Sequence, residues 1–64
     1  MAGRILIDHR IMGGVPCIAG TRIPVATIVG LIAQGETSST IIAEFPQLEP
    51  RDITAALTYA SINS

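Results

Sequence analysis

Gly13-Gly14-Val15-Pro16-Cys17-Ile18-Ala19-Gly20-Thr21-Arg22-Ile23-Pro24-Val25 is the stretch on which the fold turns. Two adjacent glycines admit positive φ and so permit a tight reversal of the chain. Pro16 fixes φ and offers no N–H, which suits the first residue or the edge of a strand. Cys17 and Ile18 then form a short apolar run, interrupted at Gly20 by a bulge or turn. Pro24 has the φ needed to open a helix at its first position, with Thr21 or Arg22 completing the approach. The stretch therefore joins a small β-element to a helical half.

Upstream, Arg4-Ile5-Leu6-Ile7-Asp8 reads as a strand, with Ile5 and Ile7 on one face and Leu6 on the other. Being apolar on both faces, it is expected to be covered on both. Residues 9–15 connect it to a partner strand over Pro16–Ile18. Two strands alone are marginal in water, so either helices cover the hairpin or a second chain extends it.

Downstream, Val25–Gln34 reads as a first helix with Val25, Ile28, Val29, Leu31 and Ile32 on a broad apolar face, and Gly35 ends it as a C′ residue. Gly30 inside it costs roughly 1 kcal/mol relative to Ala and suggests a close backbone approach. Thr37 is placed to cap a short helix over Ser38–Phe45, with Ile41, Ile42 and Phe45 inside and Pro46 as its stop. Pro50 opens a third helix at its first position, and Asp52 sits in its positively polarised first turn. Ile53, Ala56, Leu57 and Ala60 are expected to face inward, and Arg51, Thr54, Ala55 and Thr58 outward. The second and third helices, with a three- or four-residue turn between them, form a helix-turn-helix pattern.

Composition bounds what such a chain can do. Its 64 residues make one domain, and a chain this short buries only ~60% of its unfolded surface. One cysteine excludes an internal disulfide, and no dense His/Cys/Asp cluster offers a metal site. Charged residues are 14% and apolar residues 48% of the chain, where ordinary domains carry about 25% charged residues. A lone domain with so few charges exposes apolar patches, so a homodimer or higher oligomer is expected. The net charge of −1, with four arginines and no lysine, is far from a basic nucleic-acid footprint. Met1–Arg4 lead into only three apolar residues before Asp8, so no signal peptide is expected, and no run approaches the ~20 apolar residues of a membrane span. The lone thiol suits a reducing cytoplasm.

Few residues offer chemistry. Asp8 and His9 are adjacent, but strand neighbours point to opposite faces and no nucleophile accompanies them, which favours a loop pair. Cys17, between Pro and Ile, reads as buried packing. Arg22 has two readings: its planar fork can reach a phosphate or a cluster of carboxylates, or it can serve its own loop carbonyls or pair with Asp8. Arg51, Thr54 and Thr58 are the outward side of a recognition helix if α-helical residues there enter a DNA groove, and otherwise a solvated face. No enzyme is expected, because one His, one Cys and five carboxylates assemble no nucleophile, base and stabiliser.

From Gly13 to Pro24, and again along Phe45-Pro46-Gln47-Leu48-Glu49-Pro50-Arg51-Asp52-Ile53, the chain resembles the bacterial family catalogued as domain of unknown function 433. Ala55-Ala56-Leu57-Thr58-Tyr59-Ala60 follows the ending of that family's last helix, and the likeness runs over residues 4–61. The resemblance implies a mainly α fold, an N-terminal β-hairpin followed by a three-helix, homeodomain-like helix-turn-helix bundle. Here that gives a single domain over 1–64, with the hairpin arm at 4–23 and the tri-helical unit at 24–62. It also implies VapB-like antitoxin members of type II toxin–antitoxin systems, which bind PIN-type ribonuclease partners and repress their own operons. On that footing Arg4, Arg10 and Arg22 are the partner-binding candidates, and Arg51, Thr54 and Thr58 the DNA-binding ones. No cofactor or metal is expected. Val15 stands where the family usually has Lys, Ala19 where it has Arg, and Glu49 replaces the usual Thr/Ser cap. Two cations lost and one anion gained make operator DNA a weak, secondary partner at physiological salt. The alternative is a free-standing homodimerisation module with neither DNA nor toxin role.

Overall fold

The structure is a computed structural model that describes residues 5–8, 10 and 12–63. It is mainly helical: a two-stranded antiparallel hairpin precedes three helices. Strand β1 is Ile5–Leu6 and β2 is Cys17–Ile18, in the register Ile5 opposite Ile18 and Leu6 opposite Cys17. Helix α1 is Val25–Ala33, α2 is Ser38–Glu44 and α3 is Pro50–Asn63.

Between the strands, Met12–Gly14 winds into one 3-10 turn. The reversal there depends on the glycine pair, with φ of +68° at Gly13 and +92° at Gly14, which side chains with a Cβ rarely adopt. β1 is shorter than the Arg4–Asp8 strand expected from the alternation, and Arg4 lies outside the described residues. Ile5 packs against the core, while Leu6 is 40% exposed and Ile7 is also exposed. Within this chain β1 is therefore covered on one face only, a correction to the expectation of two, whereas β2 is buried on both, with Cys17 and Ile18 each 1% exposed. The cause is the order of the elements: α3 lies against β1 on one side, and no described element lies over Leu6.

Pro24 is the N-cap of α1 and not its first helical residue, with an extended ψ of 144°. The reason is a bridge that pairs Pro24 with Cys17, which holds Pro24 in β geometry until the helix begins. At the other end α1 closes as expected. Gly35 (φ +95°) donates its N–H to Ile32 O at 2.9 Å, and Glu36 N–H reaches Leu31 O at 3.0 Å. That pair of bonds is a Schellman motif, and only glycine adopts its C′ conformation without strain. Gly30 has no neighbour within 4 Å of where a Cβ would stand. The close approach expected at Gly30 is thus not made within the described chain.

Thr37 caps α2 as expected, accepting the Thr40 N–H at 3.2 Å. α2 ends at Glu44, with Phe45 as its C-cap, and the turn to α3 spans five residues, 45–49, longer than expected. Pro50 is the first residue of α3. Asp52 is only 2% exposed and accepts the Glu49 N–H at 2.8 Å, half of a capping box reaching back from the third helical position.

The core draws on β2, the loop after it, all three helices and the turn before α3: Ile18, Ile23, Val25, Ile28, Ile41, Leu48, Ile53 and Ala56 form one buried cluster. Leu48, from the turn, belongs to it although the periodicity of the helices does not flag it. Its place directly before the cap Glu49, with Ile53 at the fourth helical position, is that of a hydrophobic staple. Leu57 corrects the opposite way. Expected inside, it is 38% exposed, because the buried side of α3 is centred on Asp52, Ile53 and Ala56, with Tyr59 partly covered beside them.

Candidate partner-binding site

Residues 16–25 build a compact loop whose backbone is closed on itself. Ile18 N–H donates to Ile23 O at 3.0 Å, and Val25 N–H donates to Pro16 O at 2.9 Å. Thr21 ties the inside: its hydroxyl donates to Ile18 O at 2.8 Å and accepts the Ile23 N–H at 3.0 Å. Thr21 therefore braces the loop and does not complete the start of α1. Ile18 and Ile23 anchor the loop in the core. Cys17 lies beneath it, buried, with its Sγ–H directed at Val15 O at 3.3 Å. The thiol is packing, as its flanking Pro and Ile suggest.

Arg22 stands at the exposed end of this braced loop. It makes no side-chain hydrogen bond or ion pair among the described residues. Neither intramolecular use open to it from sequence is taken up, because Asp8 is held by another arginine. Arg10 donates from its backbone N–H to Asp8 Oδ1 at 2.9 Å, and from Nε and Nη2 to the two carboxylate oxygens at 3.2 Å each. These Arg10 bonds hold the Asp8 carboxyl below its ordinary range, the side-chain bond most, the backbone bond next, with slight burial opposing them. Arg10 is consequently not a free cation, and Arg4 and His9 lie outside the described residues. Of the three expected partner-binding arginines, only Arg22 is described and uncommitted.

On α3, Arg51, Thr54 and Thr58 are all exposed, as expected of an outward face. Arg51 is not available as a lone cation, since its Nε donates to Glu49 Oε1 at 2.7 Å. Thr54 turns its hydroxyl toward Pro50 O, at a long 3.5 Å. The residue that replaces the usual Thr/Ser cap thus neutralises the cation at the helix start.

A second feature lies where α1, α3 and the loop meet. It is an apolar groove of about 300 Å³ walled by Val15 and Pro16, Val25 and Val29, and Tyr59 and Ala60. No charged side chain lines it. The sequence does not reveal it, because the helical period points Val25 and Val29 at the core and gives Tyr59 no face. No group of three or more His, Cys, Asp or Glu is placed to hold a metal among the described residues. None of the described helices is long and apolar enough to cross a membrane.

A hairpin, a braced loop and three helices around one core define a small helical domain with a β arm. The chain belongs to the family described as protein of unknown function (DUF433), whose model matches residues 5–60. It is similar to the uncharacterized protein y4eO of Sinorhizobium fredii (strain NBRC 101917 / NGR234), 34% identical over 53 residues that make up 83% of this chain and 24% of that protein. It is also similar to a crystallised DUF433 member from Anabaena variabilis ATCC 29413, with 36% identity and a TM-score of 0.89, over 95% of this chain and 60% of that one. The chain therefore spans about a quarter of the first relative and three-fifths of the second.

Proposed function

We propose that this chain is an antitoxin-like protein of a type II toxin–antitoxin pair, working as a homodimer in the cytoplasm and binding a PIN-type ribonuclease through the Arg22 loop. Arg22 carries the reading. A guanidinium that is exposed, uncommitted among the described residues and mounted on a loop braced at both ends loses little freedom on binding. Its rigid fork of donors complements paired carboxylates, the groups expected to line the catalytic centre of a nuclease. The protein acts by occupying that centre and is not itself an enzyme.

The test is co-expression with the protein encoded beside it, followed by an assay of that protein's ribonuclease activity. The expected result is a stable complex with suppressed RNA cleavage, and Arg22→Ala should weaken the complex by about 2 kcal/mol or more, as a central arginine at an interface does. Arg22→Lys should restore only part of this, because an ammonium lacks the two-pronged geometry. A neighbour that is not a nuclease, or one indifferent to this protein, removes the toxin reading.

The Arg51–Glu49 pair favours a second reading, a self-association module with no DNA role. A dimer would carry eight arginines and a net charge near −2, twice the values of one chain, and would release few counterions on contact with a duplex. Operator binding, if it belongs to this protein, should appear in a mobility-shift assay only with the ribonuclease present. A shift with the dimer alone would argue for the family's DNA role instead.

A further inference from the structure

We infer that the homodimer forms across α1, with the two copies crossing near Gly30 and the apolar groove folded into the interface. This deepens the dimeric reading given above and rests on it.

The argument starts from the composition of α1. Val25-Ala26-Thr27-Ile28-Val29-Gly30-Leu31-Ile32-Ala33 contains no charged residue and one polar side chain. A helix that is apolar all round belongs in an interior, yet here only Val25 and Ile28 are buried. Ala26 and Ala33 are exposed, and Val29 and Gly30 are half-covered. Ala26 and Val29 also line the groove, so the groove and the outward side of α1 form one continuous surface. Gly30, one turn beyond Ala26, has open space where a side chain would stand. A mid-helix glycine costs about 1 kcal/mol relative to Ala, and nothing within the described chain uses its lack of a side chain. A second backbone approaching from outside would.

Charge selects a second copy as the occupant. In a two-fold interface each group near the axis meets its own kind, so any charge there faces a like charge. A surface with no charge of either sign meets that condition, whereas recognition of a different protein is favoured by complementary charges. Area agrees. A stable interface takes about 800 Å² from each partner, roughly a fifth of this chain's 4142 Å². In a body of 30 × 24 × 20 Å that share is one whole flank, and α1 and the groove lining place no charged side chain at the centre of the flank they form.

The experiment is sedimentation of the full chain over a range of dilutions, paired with two variants. Wild type should sediment as a dimer. Gly30→Arg, which sets two like charges on the axis, should weaken association by about 100-fold or more while far-UV circular dichroism stays helical. Gly30→Cys should give a disulfide-linked dimer on mild oxidation, since Cys17 is buried and silent, and Thr54→Cys on the outer side of α3 should not. The cross-link keeps the question answerable if Gly30→Arg fails to fold. A monomeric wild type overturns both this inference and the dimeric reading. A dimer that survives Gly30→Arg, or that cross-links through Thr54→Cys and not Gly30→Cys, overturns the α1 interface alone and leaves that reading standing.

Discussion

Asp52 does two things at the start of α3. It sits in the positive first turn, where a carboxylate is favoured by the helix dipole, and it satisfies the Glu49 N–H. Glu49, in the usual capping position, spends its own side chain on Arg51. The cap has thus moved from the first residue of the box to the last. Asp52→Ala should destabilise the fold by about 1–3 kcal/mol, because a donor loses its acceptor in a buried setting, whereas Glu49→Thr should be neutral or mildly stabilising. Urea unfolding of both variants measures this. The Asp8–Arg10 pair belongs at this scale too. Because its partner lowers the Asp8 pKa in the folded chain, the pair contributes above the ordinary carboxylate range, and the contribution is lost as pH falls through the lowered value. In Arg10→Ala the Asp8 carboxyl should titrate upward toward its ordinary value, read by NMR. No upward movement would mean that the bonds do not persist in solution.

At the scale of elements, the sequence located all three helices because punctuation and periodicity agreed. Thr37 before α2, Gly35 after α1 and Pro50 opening α3 each mark a backbone condition that few residues meet. The errors arose where tertiary pairing outranked local preference. Pro24 has helix-compatible φ but is held extended by its bridge to Cys17. Leu57 fits the helical period but lies off the buried side of α3 centred on Ile53 and Ala56. Leu48 has no period to reveal it, though its position beside the cap does. The site was legible only in part. Arg22 stood out as a cation in a glycine-containing loop, but its freedom depends on Arg10 occupying Asp8, a pairing that spacing alone does not choose. Two glycines make opposite predictions here. Gly35→Ala should destabilise by about 1 kcal/mol or more, since its φ of +95° is closed to a Cβ. Gly30→Ala, measured on dilute protein, should stabilise by about 0.5–1 kcal/mol, because the space is open and helix propensity rises.

For the molecule as a whole, one cluster of eight buried side chains ties β2 to the three helices. Ile28 and Ile41 are both fully enclosed in it. Truncating either to Ala should cost about 2–5 kcal/mol, comparable to the entire stability that a single core of this size supplies. Ile28→Ala should therefore be largely unfolded at room temperature by circular dichroism unless association rescues it. Association has its own signature. The melting temperature should rise with protein concentration, and its insensitivity to concentration would indicate that the monomer accounts for its own stability.

The single thiol offers a clock. Cys17 sits in β2 opposite Leu6 and is only 1% exposed, so a maleimide can reach it only when that part of the molecule comes apart. Labelling kinetics in native buffer then count openings directly, with no added fluorophore and no second thiol to confuse the trace.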